Sequence, residues 1–283
     1  MIYSRLVEEQ LYSYFEADII QIMHSFKQTV ESIRNMKSTG EKIVALTAYD
    51  YPMAQILSQS QVDLILVGDT LGVVVLGYDT TSKVTVSDIV HHTKAVARGN
   101  DFCLIVADLP YGSYTTEKLA IENAKLLISA GADAVKLEGC YPQITESLTQ
   151  HNIPTVGHIG LLPQTADKFR VYGRSVQEAE LISQQAKQLE SSGCFALVLE
   201  SITKKLASKI TKSLNIPTIG IGAGSDCDGQ ILVLNDMLGL FDLFKPTFVK
   251  HYAELGITIK DAIANYKREV RENIFPDSNH TYE

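Results

Sequence analysis

The sequence predicts a single closed α/β barrel, the (β/α)8 TIM barrel, carrying an N-terminal helical extension. Three observations predict it. Short apolar, β-branched runs recur eight times after residue 41, with amphipathic stretches between them. No Pro/Gly/Ser-rich linker interrupts the series. The chain has 283 residues and 45% hydrophobic content, which suits a fold that typically needs roughly 250 residues.

Residues 1–38 are expected to form the extension, with 39–283 as the barrel. Ile19, Ile20, Met23, Phe26, Val30 and Ile33 recur at three- and four-residue spacings, the period of a helix with one apolar face. Strands are expected at 42–48, 62–69, 102–108, 133–138, 153–159, 195–200 and 216–222, with an eighth at 230–235. Continuous apolar runs of this length describe strands buried on both faces of a parallel sheet. Helices are expected at 117–130, 176–192 and 203–214, and a closing helix at 258–273. A further helix begins near Thr85 to Asp88 and contains His91 and His92, which read as structural or surface residues. An open doubly wound sheet is the alternative, but no G-x-G-x-x-G follows the first run.

Composition narrows the function. The formal charge is −8 and no basic run stands out, so nucleic acid is not an expected partner. No apolar run reaches the ~18 residues needed to span a bilayer. The N-terminus carries Glu8, Glu9, Glu16 and Asp18 and lacks a leader pattern. The four cysteines form no C-x-x-C pair. A soluble, cytoplasmic protein with reduced thiols is expected.

The polar residues fall at one end of the strands. The second run ends in Asp69-Thr70, the third in Asp108, the fourth in Lys136-Leu137-Glu138; the fifth carries His158 and the sixth ends in Glu200. Catalytic groups of a parallel barrel sit at this C-terminal end. Lys136 and Glu138 are two apart and therefore share a face. Each has a plainer reading. Asp69 and Asp108 could cap turns or helices. Lys136 and Glu138 could be a structural ion pair, His158 a core histidine, and Glu200 a helix-start residue. Six such coincidences at one mouth favour a shared site, because unpartnered buried charges each carry a penalty of several kcal/mol. Asp69, Asp108 and Glu138 suit a hard divalent cation. Lys136 suits an anionic substrate, and Glu200 is free for proton transfer. The connection 71–86 is long enough for a lid or binding loop.

The chain resembles the ketopantoate hydroxymethyltransferases. The matching segments are LTAYDY (46–51), LVGDTLG (66–72), ADLPYGSY (107–114), AGADAVKLEG (130–139), PTVGHIGLLPQ (154–164), LVLE (197–200), IPTIGIGAGSDCDGQILVLNDMLG (216–239) and KPTFVKHYAELG (245–256). The resemblance implies a barrel of the phosphoenolpyruvate/pyruvate-binding type. It implies Mg2+, a 2-oxo acid substrate, and 5,10-methylenetetrahydrofolate as one-carbon donor. It implies the product 2-dehydropantoate, in pantothenate biosynthesis, by way of an enolate. Asp69 and Asp108 resemble metal ligands, with Glu138 completing the site. Asp69, Thr70, Asp108 and Lys136 resemble oxo-acid contacts, and His158 an active-site histidine. Glu200 matches the proton acceptor. Homo-oligomers, often decamers, are implied. The chain departs from the pattern with Thr70 in place of a usual Ser. It departs again at 165–175, TADKFRVYGRS, which is shorter and lacks paired glycines.

Overall fold

The computed structural model describes residues 26–166, 168–241 and 246–282. Two compact units divide the chain, residues 1–231 and 232–283. In the first, helix α1 (Val30–Thr39) leads into β1 (Ile43–Thr47), α2 (Tyr51–Gln59) and β2 (Leu64–Val67). There follow α3 (Leu71–Val74), α4 (Val86–Arg98), β3 (Leu104–Asp108), α5 (Glu117–Ser129) and β4 (Ala134–Glu138). Then come α6 (Pro142–Gln150), β5 (Thr155–Gly160), α7 (Val176–Ser191), β6 (Ala196–Glu200), α8 (Lys204–Ser213), β7 (Thr218–Ile221) and β8 (Gly229–Leu232). The strands close as a barrel in the order β1 to β8, every described pair being parallel. The (β/α)8 expectation is met, with one irregularity: residues 222–228, between β7 and β8, hold no helix. The second unit contains α9 (Leu234–Met237) and α10 (Leu255–Arg271).

The helices begin where capping chemistry places them. Thr85 Oγ1 accepts from the Asp88 backbone N–H and the Asp88 carboxylate accepts from Thr85 N–H, so α4 starts as expected. Asp50 caps α2, with Pro52 in its first turn. Two expected boundaries move. The extension helix expected over 1–38 starts only at Val30 among the described residues, because Thr29 is its capping-box residue; residues 1–25 lie outside the described ones. The eighth strand, expected at 230–235, stops at Leu232, and Leu234 already opens a helical turn.

Register and alternation set the core. Ile33 and Met36 of α1 join a buried cluster with Ile43, Leu64, Leu66, Leu104, Val106, Val156 and Val198. Burying a side chain of this kind contributes about 1.5–3 kcal/mol. Polar bonds fix which end α1 covers. Lys27 Nζ reaches Asp133 Oδ1 at 2.7 Å, Gln28 N donates to Phe102 O at 2.6 Å, and Lys37 Nζ reaches Asp228 Oδ2 at 2.7 Å. Phe102, Asp133 and Asp228 each precede a strand, so α1 closes the N-terminal end of the barrel. The opposite end is left to the strand C-termini.

Candidate active site

That opposite end gathers the acids. β3 ends in Asp108, β4 in Glu138 and β6 in Glu200, while Asp69 follows β2 by two residues and His158 lies within β5. Asp69, Asp108, Lys136, Glu138 and His158 are each 5% exposed or less. The register pairs Asp108 with Lys136, Glu138 with His158, and Gly160 with Glu200. Alternation then turns Lys136 and Glu138 to one side, as the two-residue spacing requires. Helix capping does not account for Asp69, Asp108 or Glu200. α3 starts from Thr70 without a side-chain cap, α5 is capped by Thr116, and α8 starts from Thr203. Asp69, Asp108 and Glu200 therefore cap none of these helices.

Bonding within the group is dense. Lys136 Nζ lies 2.6 Å from Asp108 Oδ1. The backbone N–H of Asp69 donates to Asp108 Oδ2 at 3.0 Å. Tyr49 Oη donates to Thr70 Oγ1 at 3.2 Å, which orients the threonine hydroxyl beside Asp69. His158 Nε2 sits 3.2 Å from Glu200 Oε2, and Nδ1 sits 3.7 Å from Glu138 Oε1. Neither contact is aligned as a hydrogen bond, and both ring nitrogens stay unpartnered.

Two residues that the strand-end pattern did not single out complete the network. Gln164, after β5, donates through Nε2 to Asp69 Oδ2 at 2.7 Å and to Leu109 O at 3.2 Å. Its backbone N–H donates to Glu138 Oε2 at 3.0 Å. Tyr114 Oη donates to Gln164 Oε1 at 2.5 Å. Both lie in connections at the same mouth, and position alone was the available signal.

Electrostatics follow from burial. Desolvation, and then the charge of Asp108, push the Asp69 carboxyl up to about 7. Burial also raises Glu138 well above the usual range, against the pull of Lys136. Burial works against the Lys136 ammonium, but the carboxylates of Asp108, Glu138 and Asp69 outweigh it and the net shift is upward. Burial lowers His158, so its imidazole stays neutral at ordinary pH, with Glu200 opposing the shift.

The donor set has the chemistry of a hard-cation site: carboxylate oxygens in excess of the one ammonium, Lys136, paired with them among the described residues. The expected cage of Asp69, Asp108 and Glu138 is not preassembled, however. Among the described residues no group of three or more His, Cys, Asp or Glu side chains is arranged to hold an ion. Asp108 already binds Lys136 and Asp69 N, and Glu138 Oε2 already accepts from Gln164 N. The residues fit an ion held by fewer direct side chains, with remaining positions filled by water and substrate, as magnesium prefers. The orphaned nitrogens of His158 mark a second place where a bound molecule would satisfy the pocket.

The altered stretch beside the mouth is tied down locally. Glu178 Oε1 pairs with Arg170 Nη2 at 2.7 Å and Oε2 accepts from Gly173 N at 2.6 Å. The Arg170 guanidinium lies 3.8 Å from the centre of the Tyr172 ring. His92 Nδ1 shares a 2.6 Å hydrogen bond with Tyr49 O, a structural role as expected.

A sequence model described as ketopantoate hydroxymethyltransferase matches residues 27–278. The chain is 49% identical over 263 residues to the 3-methyl-2-oxobutanoate hydroxymethyltransferase of Caldicellulosiruptor bescii, covering 90% of this chain and 99% of that one. It is 49% identical over 264 residues to the enzyme of the same name from Syntrophus aciditrophicus, covering 90% and 97%. Among solved structures, a phosphonopyruvate hydrolase crystallised with oxalate and Mg superposes with a TM-score of 0.58 at 11% identity, covering 89% of this chain and 93% of that one. A 2,3-dimethylmalate lyase of the PEP mutase/isocitrate lyase superfamily gives 0.59 at 13%, covering 90% and 92%. These two likenesses concern the fold alone.

Proposed function

This chain belongs to the ketopantoate hydroxymethyltransferase family, and we propose that it transfers a hydroxymethyl group from 5,10-methylenetetrahydrofolate to 3-methyl-2-oxobutanoate. The product is 2-dehydropantoate, an intermediate of pantothenate biosynthesis. One observation carries the reading: Asp69, Asp108, Glu138 and Glu200 converge on one barrel mouth around Lys136, whose ammonium pairs with Asp108. Such a pocket is arranged for a cation and an anionic oxo acid together.

Asp69 and Asp108 would hold Mg2+, with Glu138 and Thr70 beside them. When bound, the ion supplies Lewis acidity to a chelated 2-oxo acid. Lys136 holds its positive charge against the substrate carboxylate and the negative charge that develops at the oxo oxygen. Glu200, at 12% the most exposed of the four acids, removes the proton from C3. The neutral imidazole of His158 stands 3.2 Å from Glu200 Oε2, beside the carboxylate that takes the proton. The carbanion equivalent formed at C3 attacks the methylene carbon of the folate, and water releases the hydroxymethyl product and tetrahydrofolate.

The test is exchange of the C3 proton of 3-methyl-2-oxobutanoate in D2O with Mg2+, followed by NMR. Glu200→Gln is expected to bind the oxo acid and to slow exchange by about 10²–10⁴-fold. Exchange at the wild-type rate would remove Glu200 from its role. No helix among the described residues is long and apolar enough to cross a membrane, and we place the activity in the cytoplasm. Assembly into homo-oligomers is part of the same proposal. The helical spacing of Ile259, Ile263, Tyr266 and Val270 along α10 supports it, since none of that helix's residues is buried.

A further inference from the structure

We propose that Gln164 is a positioning residue that sets the two carboxylates Asp69 and Glu138 for the divalent cation. The inference rests on the metal reading given above. Gln164 is 5% exposed and stands in the connection after β5. Its contacts reach Asp69 after β2, Leu109 after β3 and Glu138 at the end of β4. One side chain and one backbone N–H therefore tie together four consecutive strand ends.

The amide is fully used. It has two protons and one carbonyl oxygen. One proton goes to Asp69 Oδ2 and the other to Leu109 O, while Oε1 accepts from Tyr114 Oη. Flipping the amide would aim its oxygen at a carboxylate and a carbonyl, so the network fixes its orientation. Tyr114 Oη also lies 3.2 Å from Glu138 O, which ties the tyrosine to the same strand end. Tyr114 is itself buried.

Charge explains why an amide stands here. Asp69 and Glu138 repel each other in a desolvated pocket, and each needs donors to keep one rotamer. A lysine or arginine would supply donors but would also neutralise the charge that attracts the cation. Gln164 holds both carboxylates without adding charge. Partners that orient metal ligands in this way typically contribute 10–100-fold in affinity.

The experiment compares wild type, Gln164→Met, Tyr114→Phe and Glu200→Gln. Mg2+ affinity without substrate is measured by calorimetry, and C3 exchange is measured at saturating Mg2+ and oxo acid. Gln164→Met keeps the length and the backbone N–H to Glu138, and removes the side-chain donors to Asp69 and Leu109. It is expected to weaken Mg2+ binding by about 10–100-fold while saturated exchange stays within several-fold of wild type. Tyr114→Phe leaves Gln164 in place but frees its amide, and is expected to weaken Mg2+ by a smaller factor. It carries the test if Gln164→Met does not fold. Glu200→Gln is expected to show the reverse pattern, with Mg2+ binding intact and exchange lost. Wild-type Mg2+ affinity in the folded Gln164→Met variant overturns the proposal and leaves the metal reading standing. If Gln164→Met does not fold, wild-type affinity in Tyr114→Phe overturns it instead. Failure of the wild type to bind Mg2+ overturns both.

Discussion

Replacing Asp69 by Asn should stabilise the metal-free protein. Burial and Asp108 hold the Asp69 carboxyl at about 7 against an ordinary 3.8. Its folded value therefore lies above its unfolded one, so ionised Asp69 destabilises the fold at pH above about 7. The full difference corresponds to about 4 kcal/mol at 1.36 kcal/mol per decade. Asn is nearly isosteric, and its side-chain oxygen can still accept from Gln164 Nε2. At about pH 8 and in EDTA, the variant should gain on the order of 4 kcal/mol. For a chain of this size that is a rise in Tm of roughly 8 °C or more. The sign also fixes the pH trend. As pH falls through the folded value, wild-type Asp69 takes up its proton while the unfolded chain stays ionised. The advantage of the variant should therefore shrink to about 2 kcal/mol by about pH 5.5. His158 has a lowered value and works the other way below its ordinary range, but it is present in both proteins and drops out of the difference. Scanning calorimetry at the two pH values reads this directly. Added Mg2+ should stabilise wild type and leave the variant unchanged. An Asn variant no more stable than wild type at about pH 8 would refute the claim that Asp69 is ionised at a cost.

Two further outcomes are expected. Gly160 has φ +102°, and a Cβ there would run into the backbone carbonyl of Glu200 and meet Ile202 at 2.8 Å. Gly160→Ala should lose at least about 1–3 kcal/mol in urea unfolding and lower C3 exchange by displacing Glu200; unchanged stability would contradict the packing. Lys37 bonds Asp228 Oδ2 and Thr211 O at the closed end. Lys37→Met should lose about 1–3 kcal/mol in urea unfolding with exchange at its wild-type rate, and a loss of exchange with stability intact would place Lys37 in the chemistry.

Most of the barrel was legible because parallel strands buried on both faces leave continuous apolar runs. β1 to β7 fall within the expected segments for that reason, except that β5 runs one residue further, to Gly160. β8 was expected too long, since Val233 and Leu234 are as apolar as strand residues, but Val233 precedes and Leu234 opens a helical turn. The shared face of Lys136 and Glu138 followed from spacing within one strand. The Lys136–Asp108 pair did not, because it depends on the register between β4 and β3, which no local pattern encodes. Gln164 and Tyr114 escaped notice for another reason. They are uncharged, they stand off the strands, and their importance lies in what they hold.

The stopper that Ile33 and Met36 make at one end of the barrel has a consequence for traffic. Among the described residues α1 covers that end, and the buried acids open toward the other. Lys136 and Asp108, almost wholly buried, stand further in than Glu200. Under the proposed reaction, the small oxo acid would be seated before the bulkier folate arrives over it, and the product would depart only after the carrier. Sequence of entry is thus written into the architecture by a helix that touches neither molecule.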